Sequence, residues 1–164
     1  METVCWTPKL ELGIPEIDAQ HKRIVLLANQ MREAVKKHDR AAVAAVIEGT
    51  VDYTLSHLKY EEELMREAGY GLLQAHAWVH EQFTQKILAF QEGSKAGEDV
   101  AEELYAVLTG WLISHIGRED RGYVNAVLNW FARLDAADKK EGHGFWHRLH
   151  HSTLATLFPH HPRR

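Results

Sequence analysis

His57-Leu58-Lys59-Tyr60-Glu61 and, in the next segment, His76-Ala77-Trp78-Val79-His80 place metal-type donors four residues apart. On an α-helix such neighbours are separated by only about 40° around the axis, so each pair presents both side chains to one side. Both pairs lie inside stripes at helical spacing: Val43, Ile47, Thr50, Thr54, His57, Glu61 and Leu64 in one segment, and His76, His80, Phe83, Ile87 and Phe90 in the next. The polar donors therefore occupy the faces that turn inward.

The same periodicity extends in both directions. Upstream, an arm carrying Pro8 and Pro15 leads to Asp18, which reads as the N-cap of a first helix to about Lys37 with the stripe His21, Ile24, Ala28, Met31 and Val35. Asp39 caps a second helix, about Arg40 to Ala68, that Gly69 ends. A third runs from about Leu72 to Gln91, with Gly93-Ser94 closing it. The fourth begins near Gly97-Glu98 and carries Leu104, Leu108, Trp111, Leu112 and His115; Gly117 interrupts it, and the pattern resumes through Val124, Val127, Leu128 and Phe131. No segment alternates as a half-buried strand does, and short connections join antiparallel neighbours. The expected fold is all-α: an up-down-up-down antiparallel four-helix bundle over residues 1–134, preceded by an extended N-terminal arm. Residues 135–164 read as a solvated linker followed by a histidine-rich amphipathic extension, with an extra helical segment from Phe145 to Phe158.

Composition agrees with one domain. A chain of 164 residues that is 45% hydrophobic and 26% charged can bury its own core without disulfides. A net charge of -4 and the lack of a long basic run argue against nucleic acid as a partner. No stretch has the length of a bilayer span or the layout of an export signal. The single Cys5 fits a reducing, cytoplasmic setting. No surface stripe on the bundle demands a second copy, so a monomer is expected.

His21 and His115 add donors from the first and fourth helices, bringing five imidazoles and Glu61 to one interior. Burying that set in an apolar core costs several kcal/mol unless each polar group is paired, and a metal centre is the most economical common partner. Imidazole with carboxylate suits iron, zinc or copper. Asp120 follows His115 by five residues, about 140° away on a regular helix. It joins the set only if a π-turn or a break at Gly117 redirects it; otherwise it reads as a surface acid beside Arg118 and Arg121.

These residues, in this order, resemble the hemerythrin family, particularly its single-domain bacterial members. The resemblance spans about Trp6 to Phe131. It is carried by Trp6 and the run from Leu12-Gly13-Ile14 through Ile17-Asp18-Ala19-Gln20-His21-Lys22, by His57-x-x-x-Glu61 with Glu62-Glu63-Leu64-Met65, by His76-x-x-x-His80, and by Trp111-Leu112-Ile113-Ser114-His115-Ile116 leading to Asp120. It implies that His76, His80 and His115 bind one iron, that His21 and His57 bind the other, and that Glu61 and Asp120 bridge them, with an oxo or hydroxo group between the ions. Five nitrogens, four carboxylate oxygens and a bridge counted twice fill about eleven of about twelve positions of two six-coordinate ions. The open position falls on the iron held by His21 and His57, where dioxygen would bind.

Trp111, Leu112 and Ile116 bracket His115 and are candidates to wall that position, although an apolar stripe is also what any bundle helix needs. Tyr123 is either an outer residue supporting the ligands or an ordinary interhelical tyrosine. The function implied is reversible dioxygen binding for transport, storage or delivery to an oxygen-consuming enzyme, and not catalysis. The alternatives are sensing through a partner docked on the C-terminal segment, or turnover of peroxide or nitric oxide at the same site. His143, His147, His150, His151, His160 and His161 in the extension read as an exposed histidine-rich tail rather than a second site, because no carboxylate or cysteine joins them in a buried pattern.

Overall fold

The computed structural model describes residues 1–141. Its helices are α1 (Pro15–Lys36), α2 (Arg40–Glu67), α3 (Leu73–Lys95), α4 (Ala101–Arg118) and α5 (Val124–Glu141), with 3-10 turns at Pro8–Leu10 and Asp120–Gly122 and no strand among the described residues. α1 packs on α2 and α4, and α3 packs on α2 and α4, which closes the first four helices into a four-helix bundle. α5 contacts α2 and the second 3-10 turn. Ile24, Met31, Ile47, Leu64, Ile87, Leu104 and Leu108 from all four helices fill the centre. No described helix is long and apolar enough to cross a membrane.

Several boundaries differ from the expectation, each for a local reason. α1 begins at Pro15 rather than after Asp18: Ile14 is the cap, and a proline at the first position has its φ preset and no N–H to satisfy. Asp18 instead holds the arm. Its carboxylate accepts from the backbone N–H of Leu12 at 2.8 Å and of Gly13 at 3.0 Å, the latter a glycine with φ +80°. Buried Leu10, Leu12 and Ile14 are thereby fixed against the bundle, and Asn29 clasps Val4 through both its N–H and its carbonyl.

Asp39 does cap α2, accepting from the Ala42 N–H at 3.0 Å, and Gly69, at φ +68°, ends it with the Tyr70 N–H reaching back to the Met65 carbonyl. α3 runs through Gly93 and Ser94 to Lys95. The stop is Gly97, at φ +90°, where the Glu98 N–H bonds the Gly93 carbonyl. At Gly93 a Cβ would lie 2.7 Å from Glu98 Oε2, the end of an exposed side chain that can turn aside. α4 starts at Ala101 rather than near Gly97 and passes through Gly117 to Arg118, so that glycine does not interrupt it. α5 continues through Asp135 to Glu141. The C-terminal histidines and the segment from Phe145 to Phe158 lie outside the described residues.

Candidate metal centre

All seven predicted donors arrive at one place. α1 supplies His21, α2 His57 and Glu61, α3 His76 and His80, α4 His115, and the second 3-10 turn Asp120; none is more than 5% exposed. They form two groups. Glu61, His76, His80, His115 and Asp120 offer donor atoms all within 4.8 Å of one another, as do His21, His57 and Glu61.

In the first group, Nε2 of His80 lies 3.0 Å from Nε2 of His76 and 2.9 Å from Nε2 of His115. Two ligands on metal–nitrogen bonds of about 2.1 Å stand about 3.0 Å apart at a right angle and about 3.4 Å apart at a tetrahedral one. The two spacings from His80 are those of neighbouring ligands on one ion. Asp120 Oδ1 stands 2.9 Å from His115 Nε2 and 3.4 Å from His76 Nε2.

The carboxylates tie this group to the other. Asp120 Oδ2 is 3.5 Å from His21 Nε2, so its two oxygens face different groups. Glu61 sends Oε1 toward His21 at 3.7 Å, while Oε2 lies between His57 at 3.6 Å and His80 at 3.5 Å.

Asp120 reaches this position because α4 stops being regular. After Arg118 the chain tightens into i→i+3 bonds, the Gly122 N–H to the Glu119 carbonyl and the Tyr123 N–H to the Asp120 carbonyl. The redirecting element is thus a 3-10 turn after Arg118, neither a π-turn nor a break at Gly117. Gly122 permits the turn because a Cβ there would fall 2.6 Å from the Tyr70 hydroxyl.

Burial sets the protonation of the imidazoles. It lowers His21 to about 4 and His76 to about 3, and it holds His57 and His80 below the ordinary range. These rings are neutral at pH 7, the form that binds metal. Burial, with Asp120 nearby, pushes Glu61 well above the usual carboxylate range. Burial also acts to raise Asp120, but His115 against its oxygen, together with His21 and His76, outweighs this and holds it low.

The donor set fits a metal ion. His21 Nε2, His57 Nε2, Glu61 Oε2 and both Asp120 oxygens are buried without a hydrogen-bond partner, a condition native cores avoid for individual groups. Here the unsatisfied atoms converge, and their chemistry, soft-to-borderline nitrogen with hard carboxylate oxygen, is that of a non-haem transition-metal site.

An outer layer orients the ligands. Tyr123, fully buried, donates its hydroxyl to Glu61 Oε1. Gln20 Oε1 faces His57 Nδ1 at 2.9 Å, Glu62 Oε1 faces His80 Nδ1 at 3.0 Å, and Glu119 Oε2 lies 3.5 Å from His115 Nδ1. Each contact leaves Nε2 as the inward atom. Sequence reasoning missed Gln20, Glu62 and Glu119; only Glu119 carried a signal, its four-residue spacing from His115. Trp111 stacks between Phe83, at 3.7 Å, and His115, at 4.1 Å, so its ring lies against the three-histidine group. Leu112 and Ile116 are buried in the core. Beside the two-histidine group, Trp6 stands 6.3 Å from His21.

Comparison with known proteins agrees with this geometry. The family model described as the hemerythrin HHE cation binding domain matches residues 12–127. A bacteriohemerythrin of Pseudomonas aeruginosa is 44% identical over 142 residues, covering 87% of this chain and 92% of the relative. One from Stenotrophomonas maltophilia is 44% identical over 136 residues, covering 81% and 89%. Among solved structures, a wild-type hemerythrin superposes with a TM-score of 0.73 at 25% identity, over 77% of this chain and 98% of that one.

Proposed function

Because the chain belongs to the hemerythrin family, we propose that it binds dioxygen reversibly at a non-haem di-iron centre with an oxo or hydroxo bridge, and serves oxygen transport, storage or delivery to an oxygen-using enzyme. In this reading His76, His80 and His115 hold one iron, His21 and His57 hold the other, and Glu61 and Asp120 span the pair. Held by these residues, a pair of ferrous ions would supply the two electrons that reversible dioxygen binding requires.

The observation that carries the reading is the unequal division of imidazoles between two donor groups that share their carboxylates. It leaves the half with His21 and His57 short of a ligand, and that is the position a small molecule would take. The residues of the chain do the rest. Burial keeps the rings neutral and ready to coordinate. His21 and His57 are themselves wholly buried, so stray protons and bulk water have no direct path to the open side. Leu112 and Ile116 are proposed to wall that side, whereas Trp111 braces His115 on the other. A set of five imidazoles and two carboxylates stabilises high oxidation states less than a carboxylate-rich set does, which favours carriage over oxygen cleavage. A cytoplasmic setting accords with Cys5, an exposed free thiol.

The test is optical. Iron-loaded protein, reduced anaerobically and then opened to air, should gain a visible charge-transfer band that disappears on deoxygenation and returns over repeated cycles, with two irons per chain. Irreversible bleaching with consumption of added peroxide would replace carriage with turnover.

A further inference from the structure

The two halves of the centre differ in what stands behind their imidazoles. His80 Nδ1 faces a carboxylate, Glu62 Oε1, at 3.0 Å. His115 Nδ1 has a second carboxylate, Glu119, 3.5 Å away, although no hydrogen bond is completed there. In the other half, His57 Nδ1 meets a neutral amide oxygen, Gln20 Oε1, at 2.9 Å, and His21 Nδ1 has no partner. Asp18, the acid nearest His21 on its own helix, is already engaged by the backbone N–H groups of Leu12 and Gly13.

A neutral imidazole carries one N–H. Donating it from Nδ1 to a carboxylate draws the ring toward imidazolate and makes Nε2 a stronger donor to a cation, while an amide oxygen polarises the ring less. The Glu62 side chain is 29% exposed and the His80 ring 1%, so much of that charge acts through protein rather than water. The geometry points to Glu62 as a positioning residue that, through His80, makes the three-histidine half the tighter metal site, so that the half held by His21 and His57 fills last and empties first. This rests on the di-iron reading. Ligand count alone also favours the three-histidine half, so the decisive experiment removes charge without changing ligand number.

The experiment starts from reduced, iron-loaded protein and titrates it with a graded series of competing ferrous chelators, counting ions released per chain. Wild type should release one ion, then a second at much higher chelator strength. Glu62→Gln keeps an acceptor for Nδ1 and removes only the charge; it should weaken the second-released ion about 10-fold to 100-fold and leave the first in place. Gln20→Glu should tighten the first-released ion by a similar factor, a gain that a purely structural contact does not produce.

Loss of both ions in a single step from wild type, an unchanged second step in Glu62→Gln, or equal weakening of both steps would overturn the inference. Failure of the di-iron reading shows separately, as wild-type protein that carries fewer than two irons before any chelator is added.

Discussion

Stripping the metal should remove a large share of the stability of the loaded protein. Five atoms turned toward the two donor groups, His21 Nε2, His57 Nε2, Glu61 Oε2, Asp120 Oδ1 and Asp120 Oδ2, are buried with no hydrogen-bond partner. A buried polar atom left unpaired costs about 1–3 kcal/mol, so five together cost about 5–15 kcal/mol. The net stability of an ordinary domain is about 5–15 kcal/mol, so the penalty is as large as what it acts on. Water entering the emptied site relieves part of it, which places the outcome near the lower end. For a chain of this size, 1 kcal/mol moves the melting midpoint by about 2–4 °C, and a loss of about 5 kcal/mol lowers it by about 10–20 °C. The assay is calorimetry with near- and far-ultraviolet circular dichroism before and after chelation, with metal content verified in each sample. Near-ultraviolet signal should collapse while helix content largely persists, because the apolar stripes still associate. A metal-free protein melting within about 3 °C of the loaded one would mean the donors satisfy one another, and the case for a metal centre built on their unpaired atoms would fail.

Two further outcomes follow from the same geometry. Asp18→Ala removes the acceptor for two backbone N–H groups that tie the arm to α1; it should cost about 3 kcal/mol, read as a lower urea midpoint, and expose the chain near Leu12 to limited proteolysis. In the metal-free protein, stability should fall as pH falls. His21 and His76 are lowered to about 4 and about 3, so the unfolded chain takes up protons from pH about 6.5 downward while the folded one does not. His21 alone contributes on the order of 3 kcal/mol of this loss, and Glu61, raised rather than lowered, acts in the opposite sense. Urea midpoints at pH 7.5 and pH 5 check the sign, and a higher midpoint at pH 5 contradicts it.

Most of the site is legible in the sequence because six of its donors sit on regular helices, where spacing determines facing. His21, His57, Glu61, His76, His80 and His115 all lie on the faces their periodicity assigns. Punctuation residues are harder to read, since one residue type answers several demands. Gly93-Ser94 reads as a stop and Gly97 as the start of the next helix, yet it is Gly97, with its positive φ, that ends α3, while Gly93 lies inside the helix. Asp18 has the composition of an N-cap and works from inside the first turn, because Pro15 had already started the helix. Asp120 lies where the 100° step no longer applies; its placement depends on the turn after Arg118 and on Tyr70 standing over Gly122, a contact made from a different part of the chain.

The outer layer escapes for a deeper reason. Periodicity describes one helix at a time, and a residue next to an inward donor is rotated about 100° away from it. By that measure Gln20 and Glu62 belong on the flanks of α1 and α2. Each nevertheless reaches a histidine on a neighbouring helix, Gln20 to His57 on α2 and Glu62 to His80 on α3. Such contacts exist only once the relative rotation and height of two helices are set, and core packing across the whole bundle sets those. The ligands of a helical metal site are thus encoded locally, whereas the groups that tune them are encoded by the register between helices. A substitution far from the site that slides α3 against α2 would therefore disturb the Glu62–His80 contact while leaving the four-residue pairing of His76 with His80 intact.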